Sequence, residues 1–238
     1  MNPSTTNTQA HTTSTPVASA MVPAMALALR ANFGSVEAWR EELVALAAAQ
    51  HEPGGWLLLC FEPQAGTLAI RCQAAATSDP AGPEIMLALP LAAVDTAAGS
   101  DVGALVDGID WDSVYTRYQH AVHAASEAFG ASRDELAGTP SDDPAGALRI
   151  DVRRAGVFEQ AATMLPGARW RDPAEVGRWA AELPADRPVL VYCVYGHEVG
   201  RATAMRLRAA GVDARYLQGG IDGWLSAGLP VVPRGEPS

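Results

Sequence analysis

Residues 187–224 read RPVLVYCVYGHEVGRATAMRLRAAGVDARYLQGGIDGW, and this stretch decides the fold of the second half of the chain. The apolar run at 189–192 predicts a buried strand that delivers Cys193 into a short loop at 194–200, which opens onto a helical pattern ending at Gly211. Backbone N–H groups at the start of a helix have no intrahelical partners, so they point at an anion over the loop. Such amides favour the thiolate, which is the reactive form of cysteine. Cys193 is therefore the candidate nucleophile.

Length and composition allow one large domain or two ordinary ones, and they predict free thiols. The chain has 238 residues, of which 48% are hydrophobic, enough for real cores. No apolar run approaches the roughly 20 residues of a transmembrane helix. Residues 1–20 are rich in Ser and Thr and lack the basic and apolar regions of a signal peptide, which predicts a disordered tail on a cytoplasmic protein. The three cysteines, Cys60, Cys72 and Cys193, are too few for a disulfide framework.

The net charge of −10 is spread unevenly along the chain. Residues 1–130 hold 4 Arg and 13 Asp or Glu, a net charge of −9, whereas residues 131–238 hold 13 Arg and 14 Asp or Glu, a net charge of −1. Neither half has the basic surface that nucleic acid requires, so nucleic acid is excluded as a partner. The chain contains no lysine, and a coding bias explains this more simply than oxyanion binding by arginine.

In the first half of the chain the hydrophobic pattern changes from helical to strand-like and back to helical. Helical patterns at 24–32 and 35–49 precede two apolar runs, 56–62 and 67–73, that read as a β-hairpin. A third apolar run at 85–94 follows, and a last helix is predicted from about 111 to 128, with Asp110 or Asp112 as its N-cap. The predicted order is helix, helix, hairpin, strand and helix, which is an α+β arrangement with a three-stranded antiparallel sheet.

This order also has a family resemblance. The segments FGSVEAWREEL at 33–43, GGWLLLCFEPQAGTLAI at 54–70 and IDWDSVYTRYQ at 109–119 resemble, in order and spacing, the C-terminal domain of iron/manganese superoxide dismutases. That family binds its metal with three histidines and one aspartate, two ligands coming from a D-x-W-x-H segment. Asp95 matches the aspartate, but Gly99 stands where the histidine should be. The resemblance therefore implies a domain at residues 21–128 whose metal site is lost, with Asp95 as its sole remnant and no cofactor.

Two other histidines are candidate metal ligands. His120 and His123 are spaced i, i+3 on the last predicted helix of this half, and such a pair can share a metal. The simpler interpretation is two polar positions on a solvated helix face. Both interpretations stay open from the sequence, and the solvated face is favoured.

The second half has a more specific resemblance. After a predicted linker at 129–143, the segments LRIDVR at 148–153, MLPGA at 164–168, VLVYCVYGHEV at 189–199 and YLQGGIDGW at 216–224 resemble the rhodanese family over residues 144–233, before a short tail at 234–238. The resemblance implies an α/β fold with a central parallel sheet. It also implies that the loop cysteine takes a sulfane sulfur from a donor, carries it as a persulfide and passes it to a thiol acceptor.

Residues in and near the cysteine loop are assigned separate roles. A phosphatase of the C-x5-R type is excluded, because the position six residues after Cys193 is Val199 and not arginine. Asp151 is interpreted as structural, Arg153 as a pocket-edge residue and Arg201 as a cation that can lean toward an anion. The substrate-binding N–H groups are assigned to Val194, Tyr195, Gly196, His197, Glu198 and Val199. Glu198 places a negative charge near the loop, which disfavours a dianionic donor by Coulomb repulsion.

Three functions follow from these patterns. The first is a rhodanese-type sulfurtransferase whose dismutase-like domain is a non-catalytic scaffold, a dimer contact or a docking site for a protein partner in a stress response. The second is a dismutase with an accessory rhodanese domain. The third is a non-catalytic thiol sensor of redox state or metalloids. The first is favoured, with a small sulfur-containing donor and a thiol acceptor as partners and with no membrane or nucleic acid.

Overall fold

Two separate sheets carry the two halves of the chain in a computed structural model that describes residues 19–49, 54–74, 80–91, 105–137 and 146–234. The first sheet has three antiparallel strands and the second has five parallel strands. Both predicted fold classes are thereby confirmed. None of the helices in the described ranges combines the length and apolarity that a bilayer crossing requires.

The first half begins with two helices, α1 (Pro23–Phe33) and α2 (Val36–Ala49). They cover a sheet made of β1 (Gly55–Glu62), β2 (Thr67–Ala74) and β3 (Ile85–Pro90), in the order β2-β1-β3. Because β1 is central, six of its eight residues are buried, whereas β2 on the edge is largely accessible. The hairpin is the predicted one, and the Asn32 side chain of α1 accepts a hydrogen bond from the Leu68 amide at 2.9 Å, which ties the hairpin to the helix.

The last helix of this half is α3 (Trp111–Ser126), and it faces two ways. Its N-cap is Asp110, one of the two predicted candidates, and its side chain accepts a hydrogen bond from the Ser113 amide. The apolar side chains of Trp111, Val114 and Val122 recur at helical spacing and are buried in the first core. Tyr115 and Gln119, which lie between them, face the second half of the chain.

The second half alternates short strands and helices around the parallel sheet. Its order is β4-β9-β8-β5-β7, and a separate antiparallel pair is formed by β6 and β10. The elements are β4 (Gly130–Ala131), α4 (Arg133–Ala137), β5 (Leu148–Asp151), α5 (Ala155–Glu159), β6 (Thr163–Met164), β7 (Arg169–Trp170), α6 (Val176–Trp179), β8 (Val189–Tyr192), α7 (Glu198–Ala209), β9 (Ala214–Leu217), α8 (Gly220–Ser226) and β10 (Val232–Pro233).

The segment predicted as a linker, 129–143, contains regular structure. Gly130–Ala131 pairs in parallel with Tyr216 and Leu217 of β9, and Arg133–Ala137 is helical. The chain thus enters the second sheet before residue 144. A two-residue strand at a sheet edge has too short a pattern to be recognised by periodicity. The remainder of the predicted linker, 138–143, lies outside the described residues.

The two halves share a packed boundary. Ala202 and Met205 of α7 are buried in the core of the first half, while Ala204 and Leu207 of the same helix are buried in the core of the second. Polar contacts reinforce the boundary, because Arg206 donates to the Ala31 carbonyl of α1 at 2.9 Å. The helix that follows the cysteine loop therefore belongs to both cores.

Candidate functional site

Cys193 lies at the carboxyl end of the central strand of the parallel sheet. All four residues of β8 are buried, as expected for a strand flanked on both sides, and Cys193 itself is 6% exposed. The chain then turns through residues 193–197 and enters α7 at Glu198. Carboxyl ends of strands in open α/β sheets are where ligands bind, so the strand places the thiol at a typical site.

The loop amides converge on the sulfur. The N–H groups of Gly200, Gly196 and His197 donate to Sγ of Cys193. The α7 backbone passes so close to the thiol that a Cβ on Gly200 would stand 3.3 Å from Sγ. This arrangement is a nest of amides around one atom, which is suited to an anionic sulfur.

Burial works against these amides. It is the largest influence on the Cys193 thiol and raises its pKa, and the charge of Glu198 adds to the rise, whereas the three amides lower it. The net pKa lies above the ordinary value. This is a correction to the prediction that the loop favours the thiolate, which considered the amides but not the burial of the sulfur.

The motif at 216–224 closes the loop from the other side. The first amides of α8 are free of intrahelical partners, and those of Ile221 and Asp222 donate to the carbonyls of Cys193 and Val194, both at 3.0 Å. Gly220 has a φ of 58° and its backbone lies against the same two carbonyls, so that a Cβ there would meet the Cys193 oxygen at 2.6 Å. The loop carbonyls are thus satisfied by α8, which leaves the loop amides to the sulfur.

Asp151 and Arg153 form a buried structural pair behind the site. Asp151 is 0% exposed and accepts from the Arg153 guanidinium and backbone amide and from the Tyr192 hydroxyl at 2.9 Å. Arg153 is 5% exposed and also donates to the Thr163 carbonyl. The structural role predicted for Asp151 matches this position. Arg153 lies in the same buried network and not at the pocket edge where the sequence placed it.

Arg201 supports the loop from outside. Its Nε donates to the Gly196 carbonyl at 2.9 Å, its Nη1 donates to the Ser126 hydroxyl at 3.2 Å, and its guanidinium lies 4.3 Å from the ring centre of Tyr216. Arg201 was predicted to point toward a bound anion, but its guanidinium makes these three contacts instead. They hold the Gly196 carbonyl and connect the loop to α3.

The accessible side of the loop is aromatic. Tyr195 is 57% exposed, and its ring centre lies 5.7 Å from that of His197, which is also exposed. The His197 ring in turn lies 5.8 Å from that of His123 on α3. Val194 and Val199 are half-buried between this surface and the interior. A molecule that approaches the loop from solvent therefore meets Tyr195 and His197 first.

Glu198 is held by the other half of the chain, which the sequence did not predict. Its carboxylate is 5% exposed and accepts from the Tyr115 hydroxyl at 2.8 Å and from Gln119 Nε2 at 3.2 Å. Burial, and then the hydrogen bond to Glu198, raises the pKa of Tyr115, which keeps the phenol protonated as a donor. Tyr115 and Gln119 lie four residues apart on α3, but no pattern in the sequence indicates where a polar pair docks.

The histidine pair does not form a metal centre in the described residues. His120 is exposed, and burial lowers the pKa of His123, as do the charges of Arg201 and His197. No cluster of three potential ligands occurs in the part of the chain that the structure describes. Asp95 and Gly99 lie outside the described residues.

The remaining cysteines are unpaired thiols within the described ranges. Cys60 is buried in β1, and burial raises its pKa. Cys72 is exposed on the edge strand β2. Neither has loop amides around it comparable to those at Cys193 that the structure records.

Comparison with known families agrees with both halves of this architecture. The rhodanese-like domain model matches residues 132–227, and the model for iron/manganese superoxide dismutases, C-terminal domain, matches residues 21–96. A curated relative, an iron superoxide dismutase from Cupriavidus metallidurans, is 30% identical over 105 residues, covering 42% of this chain and 53% of the relative. The chain thus spans about half the length of the curated relative that it matches.

Several solved structures are similar to part of the chain. A full-length protein from Lactobacillus plantarum is 19% identical with a TM-score of 0.43, covering 50% of this chain and 98% of that one. A rhodanese-related protein from Thermoplasma volcanium is 20% identical with a TM-score of 0.36, covering 43% and 96%. The rhodanese-like domain of a protein from Anabaena sp. is 27% identical with a TM-score of 0.33, covering 38% and 89%. On the family models, the chain carries a dismutase C-terminal-type domain matched at residues 21–96, followed by a rhodanese-like domain matched at residues 132–227. The helix α3 shares the core of the first of these, and together they form the dismutase-like domain.

Proposed function

We propose that this protein is a rhodanese-type sulfurtransferase that carries sulfane sulfur as a persulfide on Cys193. The observation that carries the proposal is the convergence of the Gly196, His197 and Gly200 amides on one sulfur atom at the end of the central strand. A persulfide ends in an anionic sulfur, and a nest of amides stabilises such a charge without a metal or a general base. The rhodanese-like domain at 132–227 supports the same chemistry.

The transfer has two displacement steps. The Cys193 thiolate, its proton lost to solvent, attacks the sulfane sulfur of the donor, forming an S–S bond while the donor's own bond to that sulfur breaks. The leaving group departs with the electron pair of the broken bond, as sulfite does from thiosulfate. A thiolate acceptor then attacks the terminal sulfur of the persulfide, and Cys193 leaves again as a thiolate. Both steps are thiolate exchange at sulfur and need no external oxidant or reductant.

The raised pKa of Cys193 limits the kind of donor that can react with it. Because burial keeps most of the thiol protonated at neutral pH, the free protein holds a weak nucleophile. A suitable donor has a leaving group that accepts negative charge. The loop amides would bind such a donor only as negative charge develops on the sulfur beside Cys193. Glu198 lies close enough to raise the pKa of Cys193, so its charge disfavours a dianionic donor relative to a singly charged one.

The dismutase-like domain acts in this proposal as a scaffold without redox chemistry. It encloses the outer face of α7 through Ala202 and Met205 and supplies the partners of Glu198. Its acidic composition is unsuited to attracting superoxide, since a negative field repels an anionic substrate.

Mass spectrometry of the intact protein tests the proposal. Incubation with a panel of donors, including thiosulfate and organic polysulfides, is expected to add ~32 Da, one sulfur atom, to Cys193 by thiolate attack. Cys72→Ser removes the exposed thiol on β2 and serves as the matched control, since it should load like the natural protein. Cys193→Ser should not load. Loading that survives in Cys193→Ser, or its absence with every donor, would favour the non-catalytic thiol sensor instead.

A further inference from the structure

The carboxylate of Glu198 lies across the boundary between the two domains. Glu198 is the first residue of α7, yet its side chain turns to α3, where Tyr115 donates to Oε1 at 2.8 Å and Gln119 donates to Oε2 at 3.2 Å. Gln119 Nε2 also lies 3.1 Å from the Tyr115 hydroxyl oxygen, so the three polar groups form a closed triangle. Both carboxylate oxygens are therefore engaged by the dismutase-like domain.

In this orientation the Glu198 carboxylate does not use the donors nearest to it, which are the amides at the start of its own helix. A carboxylate in the first turn of a helix is attracted to the free amides of that turn and to the positive end of the helix dipole. At this helix the nearby amides of Gly196, His197 and Gly200 are directed at the Cys193 sulfur. Glu198 and a substrate sulfur would therefore compete for the same donors if the carboxylate were free to turn.

Alternative partners for the carboxylate are absent from its surroundings in the described ranges. No arginine or histidine nitrogen of the described residues lies within ion-pair distance of Glu198. The cavity beside it, also lined by Tyr118 and Arg206, measures about 30 Å³, which admits water but no organic ligand. Tyr115 and Gln119 are thus the groups that fix its position.

We propose that Tyr115 and Gln119 are positioning residues of the sulfur site, which hold the Glu198 carboxylate away from the loop amides and so keep those amides open to a substrate sulfur. The inference rests on the proposed function for its biological meaning. The contacts that carry it, however, are those of the free protein. It assigns the dismutase-like domain a defined contribution to the sulfur site.

The test compares the double variant Tyr115→Phe, Gln119→Met with the same pair in a Glu198→Gln background. Both substitutions keep side-chain volume and remove the two donors. The readout is the rate of Cys193 alkylation by iodoacetamide at pH 7.5, which follows the thiolate population and needs no sulfur donor. Released toward the loop, the carboxylate should slow alkylation roughly tenfold, the scale of one competing charged hydrogen bond. In the Glu198→Gln background the two substitutions should change the rate less than about twofold.

Controls separate positioning from packing. Thr116→Ala, an exposed position on the same helix, should leave alkylation unchanged, and the single variants Tyr115→Phe and Gln119→Met provide smaller perturbations if the double variant is poorly folded by circular dichroism. An equal slowing in the Glu198→Gln background, or no slowing in any variant, would overturn the proposal. If the alkylation pattern holds while no donor ever loads Cys193, the positioning role stands and the sulfurtransferase function fails.

Discussion

Replacing Gly220 by alanine is expected to damage the cysteine loop from outside it. Gly220 has a φ of 58°, a left-handed conformation that costs an L-residue about 1–2 kcal/mol. An added Cβ would also meet the carbonyl oxygens of Val194 and Cys193, the latter at 2.6 Å. Both are backbone atoms of the loop and cannot rotate away as a flexible side chain would. The clash must therefore be relieved by moving α8 from the loop.

That movement breaks identifiable bonds. The amides of Ile221 and Asp222 donate to the Cys193 and Val194 carbonyls at 3.0 Å, and each such hydrogen bond contributes about 1 kcal/mol net. With the conformational cost, the free energy of unfolding should fall by about 3–4 kcal/mol. A domain with a typical stability of about 5–15 kcal/mol remains folded after this loss, so the variant can be measured.

Gly228→Ala is the matched control. Gly228 also has a left-handed φ, 69°, but an added Cβ there would meet no heavy atom within 4 Å. Its cost should be limited to the conformational part, about 1–2 kcal/mol. Urea unfolding followed by circular dichroism gives both values, and alkylation of Cys193 should be altered only in Gly220→Ala. Equal losses of stability in the two variants would refute the argument that close backbone approach shapes the loop.

Two further outcomes follow from buried groups. Asp151→Asn should lower the free energy of unfolding by about 3 kcal/mol, because it leaves the buried Arg153 without its counter-charge. The control Asp107→Asn, at the exposed Arg40 pair, should cost less than about 1 kcal/mol. Similar values for the two variants in urea unfolding would contradict the importance of the buried pairing. Because burial raises the pKa of the Cys193 thiol, the stability it contributes is present below its unfolded pKa of about 8.5 and is lost as the pH rises through the folded pKa. As the pH rises above about 8.5 the natural protein should therefore lose more stability than Cys193→Ala does, and parallel pH profiles would show that the thiol pKa is not raised.

The sequence predicted the elements that depend on local pattern. The apolar run of β8 with the cysteine that follows it and the hairpin of β1 and β2 lie where periodicity placed them, and the N-cap Asp110 is one of the two candidates that capping rules offered. In an extended segment, residues two apart point to the same side, so the pairing of Asp151 with Arg153 could be predicted from the sequence. The prediction of Arg153 at the pocket edge did not use this spacing.

The burial of Cys193 and the docking of α3 against α7 could not be predicted from local sequence patterns. The raised pKa of Cys193 depends on how completely the surrounding elements cover the sulfur, which no local pattern reports. The contact between Tyr115 and Glu198 joins residues 83 positions apart. A helical pattern shows which face of α3 is apolar, but the partner of its polar face is decided only when the domains pack.

The packing of α7 explains why the two domains cannot be treated as independent modules. Ala202 and Met205 face the first core, and Ala204 and Leu207 face the second, so the helix has two buried faces. Interiors are close-packed, so a shift of α7 relative to Cys193 would open a gap on one face and overpack the other. Because α7 also supplies Gly200 beside the sulfur, the first core restrains the geometry of the cysteine loop directly. The dismutase-like domain therefore contributes to the shape of the cysteine loop through packing alone.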